Sequence, residues 1–217
     1  MATWTENPHT GEFIIGEAEE YRSRESVTVA VSQTLKAGHV IGRKATAATV
    51  AASAVTGTGN GVLTLAGTPY TSEVIAGNYR IVFIEPVTNL GTFHVEDPNG
   101  RIIGTGVVGT AFSKHIAFNI ADGATDFVAG DNFTITVSAV SYQVSEWNPA
   151  ATDGLQVPYG FLFAPVTTGG SATAAGVALV RACSVNASKL TWKSGVTTAQ
   201  KNIAIQTLSA AAAIAVR

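Results

Sequence analysis

The sequence predicts a mainly β protein with one short C-terminal α-helix and, ahead of it, a self-contained β module that reads as a small sandwich or barrel. Three observations carry this. Val27, Val29 and Val31 alternate with Thr28 and Ala30, and Phe133, Ile135 and Val137 alternate with Thr134 and Thr136, the period-two pattern of strands with one wet face. Between Gly57 and Ser138 short apolar runs recur with turn residues between them, the spacing of an all-β unit. A helical pattern sets in only after Gly195. Thr197 opens it with Gln200 three positions on, a capping box in which two orphan backbone donors are satisfied.

Taken in order, residues 1–12 form a polar arm carrying Pro8 and Gly11, with Trp4 as its apolar residue for contact with a partner. The triplet Phe13-Ile14-Ile15 reads either as an edge strand on its own domain or as a strand added to a neighbour's sheet. Glu17, Glu19 and Glu20 followed by Arg22 and Arg24 read as a solvated turn. Residues 27–31 form a strand, and Leu35-Lys36-Ala37-Gly38 turns into Val40-Ile41-Gly42 as the second arm of a hairpin. Residues 45–53 are an Ala/Thr linker, after which the composition changes.

Six strands are expected in the next block, at 62–65, 79–84, 92–95, 102–107, 116–120 and 133–137. Asp97-Pro98-Asn99-Gly100 is a hairpin turn, since Pro presets φ and Gly accepts positive φ. Beyond it, residues 177–180 form a strand, a polar turn through Asn186 leads to Leu190-Thr191-Trp192, and Lys193-Ser194-Gly195 interrupts the chain before the helix. Ile203, Leu208 and Ala211, with Ala204 and Ala212, are expected on one apolar side. Ile214-Ala215-Val216 keeps the end apolar, which places it in the fold or in a subunit contact rather than in a frayed terminus.

Charged residues make up only 13% of the 217, about half the usual quarter, so partners are expected to cover part of the surface. Net charge is −2 with the cations scattered, which argues against direct nucleic-acid binding. Cys183 stands alone and reads as a buried structural thiol. No secretory signal pattern opens the sequence, and no apolar run approaches the length of a membrane helix, so a soluble protein made in a cytoplasm is expected.

Asp122, Asp126 and Asp131 lack the alternation and closing Glu of a calcium loop and are expected to brace turns. His9, His39, His94 and His115 have no metal-ligand spacing. Gly57-Thr58-Gly59-Asn60-Gly61 lacks the Lys-Ser/Thr of a phosphate loop. No metal, cofactor or catalytic group is expected. Trp192 reads as core, and Trp147, beside Asn148-Pro149, as a core or interface residue.

The ordered set ALVRACSVNASKLTW, GVTTAQKNIAIQTL and terminal IAVR, preceded by AATDGLQVPYGFLFAPV, resembles the C-terminal half of lambda-type bacteriophage head decoration proteins. TLKAGHVIG is similar to an earlier segment of that family. GTFHVEDPNGRIIGTGVVGTAF and FNIADGATDFVAGDNFTITV resemble the β-rich insertion of its longer members. The resemblance covers residues 142–217 well and 27–43 more loosely. It implies a split β-rich, β-tulip-like core (13–53 with 140–217) and an inserted module (55–139), rejoined at Arg43-Lys44 and Ser141-Tyr142.

It also implies a non-enzymatic homotrimer on the outer surface of the virion capsid, bound to the major capsid protein. Trp4, Phe13, Ile14, Ile15, Trp147, Leu208, Ile214 and Val216 are the expected capsid or subunit contacts. Two other readings stand beside this one: a module that attaches the virion to host glycans or another cell surface, and a hydrolase assembled from distant Asp and His residues.

Overall fold

The computed structural model describes residues 6–217. In chain order its strands are β1 (Ile14–Glu17), β2 (Arg24–Val29), β3 (Thr34–Leu35), β4 (Val40–Ala52), β5 (Val62–Tyr70), β6 (Gly77–Val87), β7 (Leu90–Glu96) and β8 (Ile102–Val107). Then come β9 (Phe112–Lys114), β10 (Ile116–Ala121), β11 (Asn132–Glu146), β12 (Pro158–Leu162), β13 (Val166–Thr167), β14 (Ala174–Leu179) and β15 (Cys183–Val185). Helix α1 (Thr198–Ala212) and β16 (Ala215–Val216) complete the chain. It is mainly β with one C-terminal helix. Two compact units divide at Lys44/Ala45 and at Ser141/Tyr142, and β4 and β11 carry the chain across those points.

The first unit contains a small five-stranded barrel. Its strands run β2-β14-β12-β4-β11, and the parallel pairing of Val144 with Val29 closes β11 back onto β2. Inward residues of alternate positions fill it: Val29, Leu35, Ile41, Val144, Leu162, Ala178 and Val180 are buried together. A second apolar cluster lies between barrel residues and the C-terminal segment, where Phe13, Val40, Trp147, Phe161, Leu179, Val185, Ala204, Leu208 and Ile214 pack. A small sheet in the order β1-β15-β16 belongs to this side.

Several expectations change here. β2 does not form a hairpin with β4. It pairs with β14 over Arg24–Leu179 to Val29–Ala174, and β4 pairs with β12. Barrel closure favours these distant partners, because a half-buried strand takes whichever neighbour completes the core. The Ala/Thr stretch expected to be a linker is the second half of β4, thirteen residues long. The arm is shorter than expected: Gly11 donates to the Phe163 carbonyl at 3.2 Å, and Phe13 is buried. β1 is therefore an edge strand of its own unit, registered Ile14 with Val185.

The second unit, Ala45–Ser141, packs sheet β11-β6-β7-β8 with sheet β5-β10-β9. Phe93 of the first sheet contacts Phe112 and Phe118 of the second, with ring centroids 6.3 and 5.8 Å apart. Phe83 stacks on Phe127 at 4.0 Å. These rings, each burying a large apolar surface, sit in the unit's core with Ile81, Val95, Ile120 and Ile135. The Asp97–Gly100 turn forms as its residues dictate: Asp97 Oδ1 accepts from the Asn99 and Arg101 amides, and Gly100 adopts φ 76°. Strand β9, too short for a pattern, had no sequence signal.

Asp131 braces a loop rather than a metal. Its carboxylate accepts from the amides of Thr58, Gly59 and Val128 at 2.8–3.0 Å, across the turn between Val128 and Asp131 and the glycine-rich loop. Gly57 is required there, since a Cβ would fall 1.9 Å from Asp131 Oδ1. Burial raises the Asp131 pKa, but the three amides outweigh it and hold the carboxyl below its ordinary value.

Candidate protein-contact surface

The C-terminal segment is tied down residue by residue. Thr197 accepts from the Gln200 amide at 3.3 Å while Gln200 accepts from the Thr197 amide at 2.9 Å, completing the capping box. On α1 the buried residues are Ala204 and Leu208, and Ile203 is 62% exposed. Ile203 was expected on the buried side, but it lies five positions before Leu208, too far round a 3.6-residue helix to share its face. Ala213 ends the helix in the left-handed region, and β16 then pairs in parallel with β15. Arg217 donates to the Val185 carbonyl at 2.9 Å, so the end is ordered.

The segment before the helix is anchored by a charged cluster. His39 Nδ1 accepts from the Lys36 amide at 3.3 Å, which leaves Nε2 to donate to Glu146 Oε1 at 2.9 Å. Lys193 donates to Glu146 Oε2 at 2.8 Å. Burial pushes the Glu146 carboxyl up, and the bonds from Lys193 and His39 more than reverse it, leaving its pKa lowered. Trp147, 3% exposed, donates from its indole to the Gln156 carbonyl and meets Trp192 edge-on at 5.7 Å.

These placements sort the expected contact residues. Phe13, Trp147, Leu208 and Ile214 are buried in their own chain's core, so none of them presents a side chain to a partner. All four belong to one apolar cluster with Val40, Phe161, Leu179 and Val185. Ile14 and Val216 are partly buried on the same cluster, and Ile15 stays exposed. Trp4 lies outside the described residues.

Sequence reasoning missed an open apolar groove of about 750 Å³ beside α1. Val157, Tyr159, Ala182, Ala210, Ala211 and Ala213 line it, with Glu25, Arg43 and Arg181 at its edge. Tyr159 donates to Glu25 Oε1 at 2.6 Å, and Arg181 pairs with the other Glu25 oxygen. Burial and then Glu25 push the Tyr159 phenol up to about 12. Arg43 lies between two aromatic rings, 4.1 Å from the Tyr142 centroid and 4.3 Å from Tyr159, and donates to the Tyr159 hydroxyl at 3.2 Å. A run of small residues at 209–213 was the only trace of the groove in the sequence, and it marks no partner by itself.

Among the described residues no group of three or more His, Cys, Asp or Glu side chains is placed to hold a metal. Asp126 accepts from the Asn89 amide at 2.9 Å, which is a loop brace like that of Asp131. His9 pairs with Glu6 and His94 with Glu96, and burial pushes the His115 imidazole down. Burial, with Glu17, raises the Cys183 thiol to about 11.

The model of one protein family, "Bacteriophage lambda head decoration protein D", matches residues 3–214. The chain belongs to that family. It is a structural protein of the phage head, and the match spans both units. No curated protein matches the chain. Two crystal structures of Xanthomonas campestris FlgL, in space groups C2 and H3, match at 18% and 17% identity with TM-scores of 0.29. The alignments cover 52% and 54% of this chain and 33% and 34% of FlgL, so the chain spans about a third of that protein's length. At that similarity they bear on neither fold nor function. Among the described residues no helix is long and apolar enough to cross a membrane.

Proposed function

We propose that this decoration-family protein is a capsid cement: a homotrimer on the outer surface of the head, bridging neighbouring copies of the major capsid protein. The family match over residues 3–214 carries this reading. Its action is burial rather than catalysis. Each copy adds apolar contact that the bare shell lacks, and burial of apolar area drives association. A specific interface removes about 1,200–2,000 Å² from water. The low charge content and the exposed small residues of the groove suit a surface that a partner covers.

The test is co-sedimentation with heads assembled without the protein, beside its mass in solution. A trimer mass and saturable binding to heads are expected. A monomer, or protein left in the supernatant at every concentration, overturns the reading.

A further inference from the structure

The groove beside α1 carries an inference about how the head is recognised, and it rests on the cement reading above. Glu25 is engaged by both Tyr159 and Arg181, so the acidic group at the edge is already satisfied. Arg43 is not. Among the described residues no carboxylate lies within salt-bridge distance of it, and its one side-chain hydrogen bond uses a single donor of five.

The two tyrosine rings fix the guanidinium plane before any partner arrives. A fixed planar fork with unused donors matches a carboxylate, and prior immobilisation lowers the entropy lost on binding. Glu25, Arg43 and Tyr159 line both the groove and a smaller cavity of about 200 Å³ at the barrel's β2–β11 seam. The fork therefore stands where an apolar floor meets a polar recess.

We propose that this groove receives a segment of the major capsid protein in which an Asp or Glu is flanked by apolar side chains. The carboxylate is held by Arg43, and its neighbours lie along Val157 and the alanines of α1. Arginine is enriched among the residues that dominate binding at protein interfaces.

The experiment measures binding of Arg43→Ala, Arg43→Lys and Ala211→Trp to undecorated heads, with circular dichroism and solution mass on each variant. Arg43→Ala is expected to weaken head binding about tenfold or more, to keep the wild-type mass, and to flatten the fall of affinity with salt. Arg43→Lys should recover only part of the loss, because an ammonium lacks the planar fork. Ala211→Trp fills the groove from α1, leaves Arg43 unsubstituted, and should weaken binding as well. It keeps the proposal testable if Arg43→Ala fails to fold.

Folded variants that bind heads like the wild type overturn the proposal. So does an unchanged salt dependence in Arg43→Ala. A folded Arg43→Ala that loses its trimer mass would assign the groove to a second copy and overturn the capsid assignment. If the wild type itself does not bind heads, the cement reading fails instead.

Discussion

Replacing Ile214 with Ala tests whether the C-terminal segment is structural. Ile214 is 1% exposed and packs with Leu208, Ala204, Val185 and Phe13. Its amide donates to the Leu208 carbonyl, and the two residues after it pair with Ser184 and Val185. Truncating a buried Ile to Ala costs about 2–5 kcal/mol, the upper part applying where neighbours cannot collapse into the cavity. Here the neighbours are held by β15 and α1, which resists collapse. The capping box at Thr197 is exposed, and its loss in Thr197→Ala should cost about 1 kcal/mol.

For a chain of this length each kcal/mol moves Tm by roughly 2–4 °C, so Ile214→Ala should lower it by roughly 4–20 °C and Thr197→Ala by roughly 2–4 °C. Melting curves at equal protein concentration, followed by circular dichroism, read the difference. The reasoning is refuted if Thr197→Ala is the more damaging, or if deleting residues 214–217 leaves Tm unchanged.

Other expectations follow from single contacts. Asp131 has a lowered pKa in the fold, so its stabilising contribution is complete above the ordinary carboxylate value and is lost as pH falls through the lowered one. Denaturation between pH 6 and 2 should show this loss, and Asp131→Asn should both destabilise the protein at pH 6 and flatten the acid limb. Replacing residues 45–141 with a short Gly-Ser turn should leave the barrel unit folded, since Thr46 Oγ1 lies 3.3 Å from the Ser141 carbonyl and short loops close at little cost; an unstructured circular dichroism spectrum would show otherwise. Cys183, buried and with its thiol raised to about 11, should resist an aromatic disulfide reagent at pH 8 until denaturant is added. Rapid labelling of the native protein would mean that the β15 region opens.

Local features of the fold were legible in the sequence and long-range ones were not. The capping box needs only Thr197 and Gln200, three positions apart, and the Asp97–Gly100 turn only four residues, so each is written where it acts. Strand existence was visible through alternation, as in β11, but strand partners were not. β2 and β14 meet across 145 positions at Val29–Ala174 and 155 at Arg24–Leu179, and closing a barrel decides that pairing rather than any property of either strand. The triplet Phe13-Ile14-Ile15 left open whose sheet it joins, because the space Phe13 fills is shaped by the distant Phe161 and Val185. Arg43 shows the same limit at the candidate contact surface. Its two tyrosines come from β11 and β12, and its bond to Tyr159 spans 116 positions.

The central claim, that this decoration-family protein cements the outside of a phage head, is met most directly by electron cryomicroscopy of heads with and without it. Difference density should stand on the outer surface in three-fold clusters, each touching more than one major capsid subunit. Density on the inner surface, attachment at a single tail-proximal position, or no difference between the two maps would contradict the account.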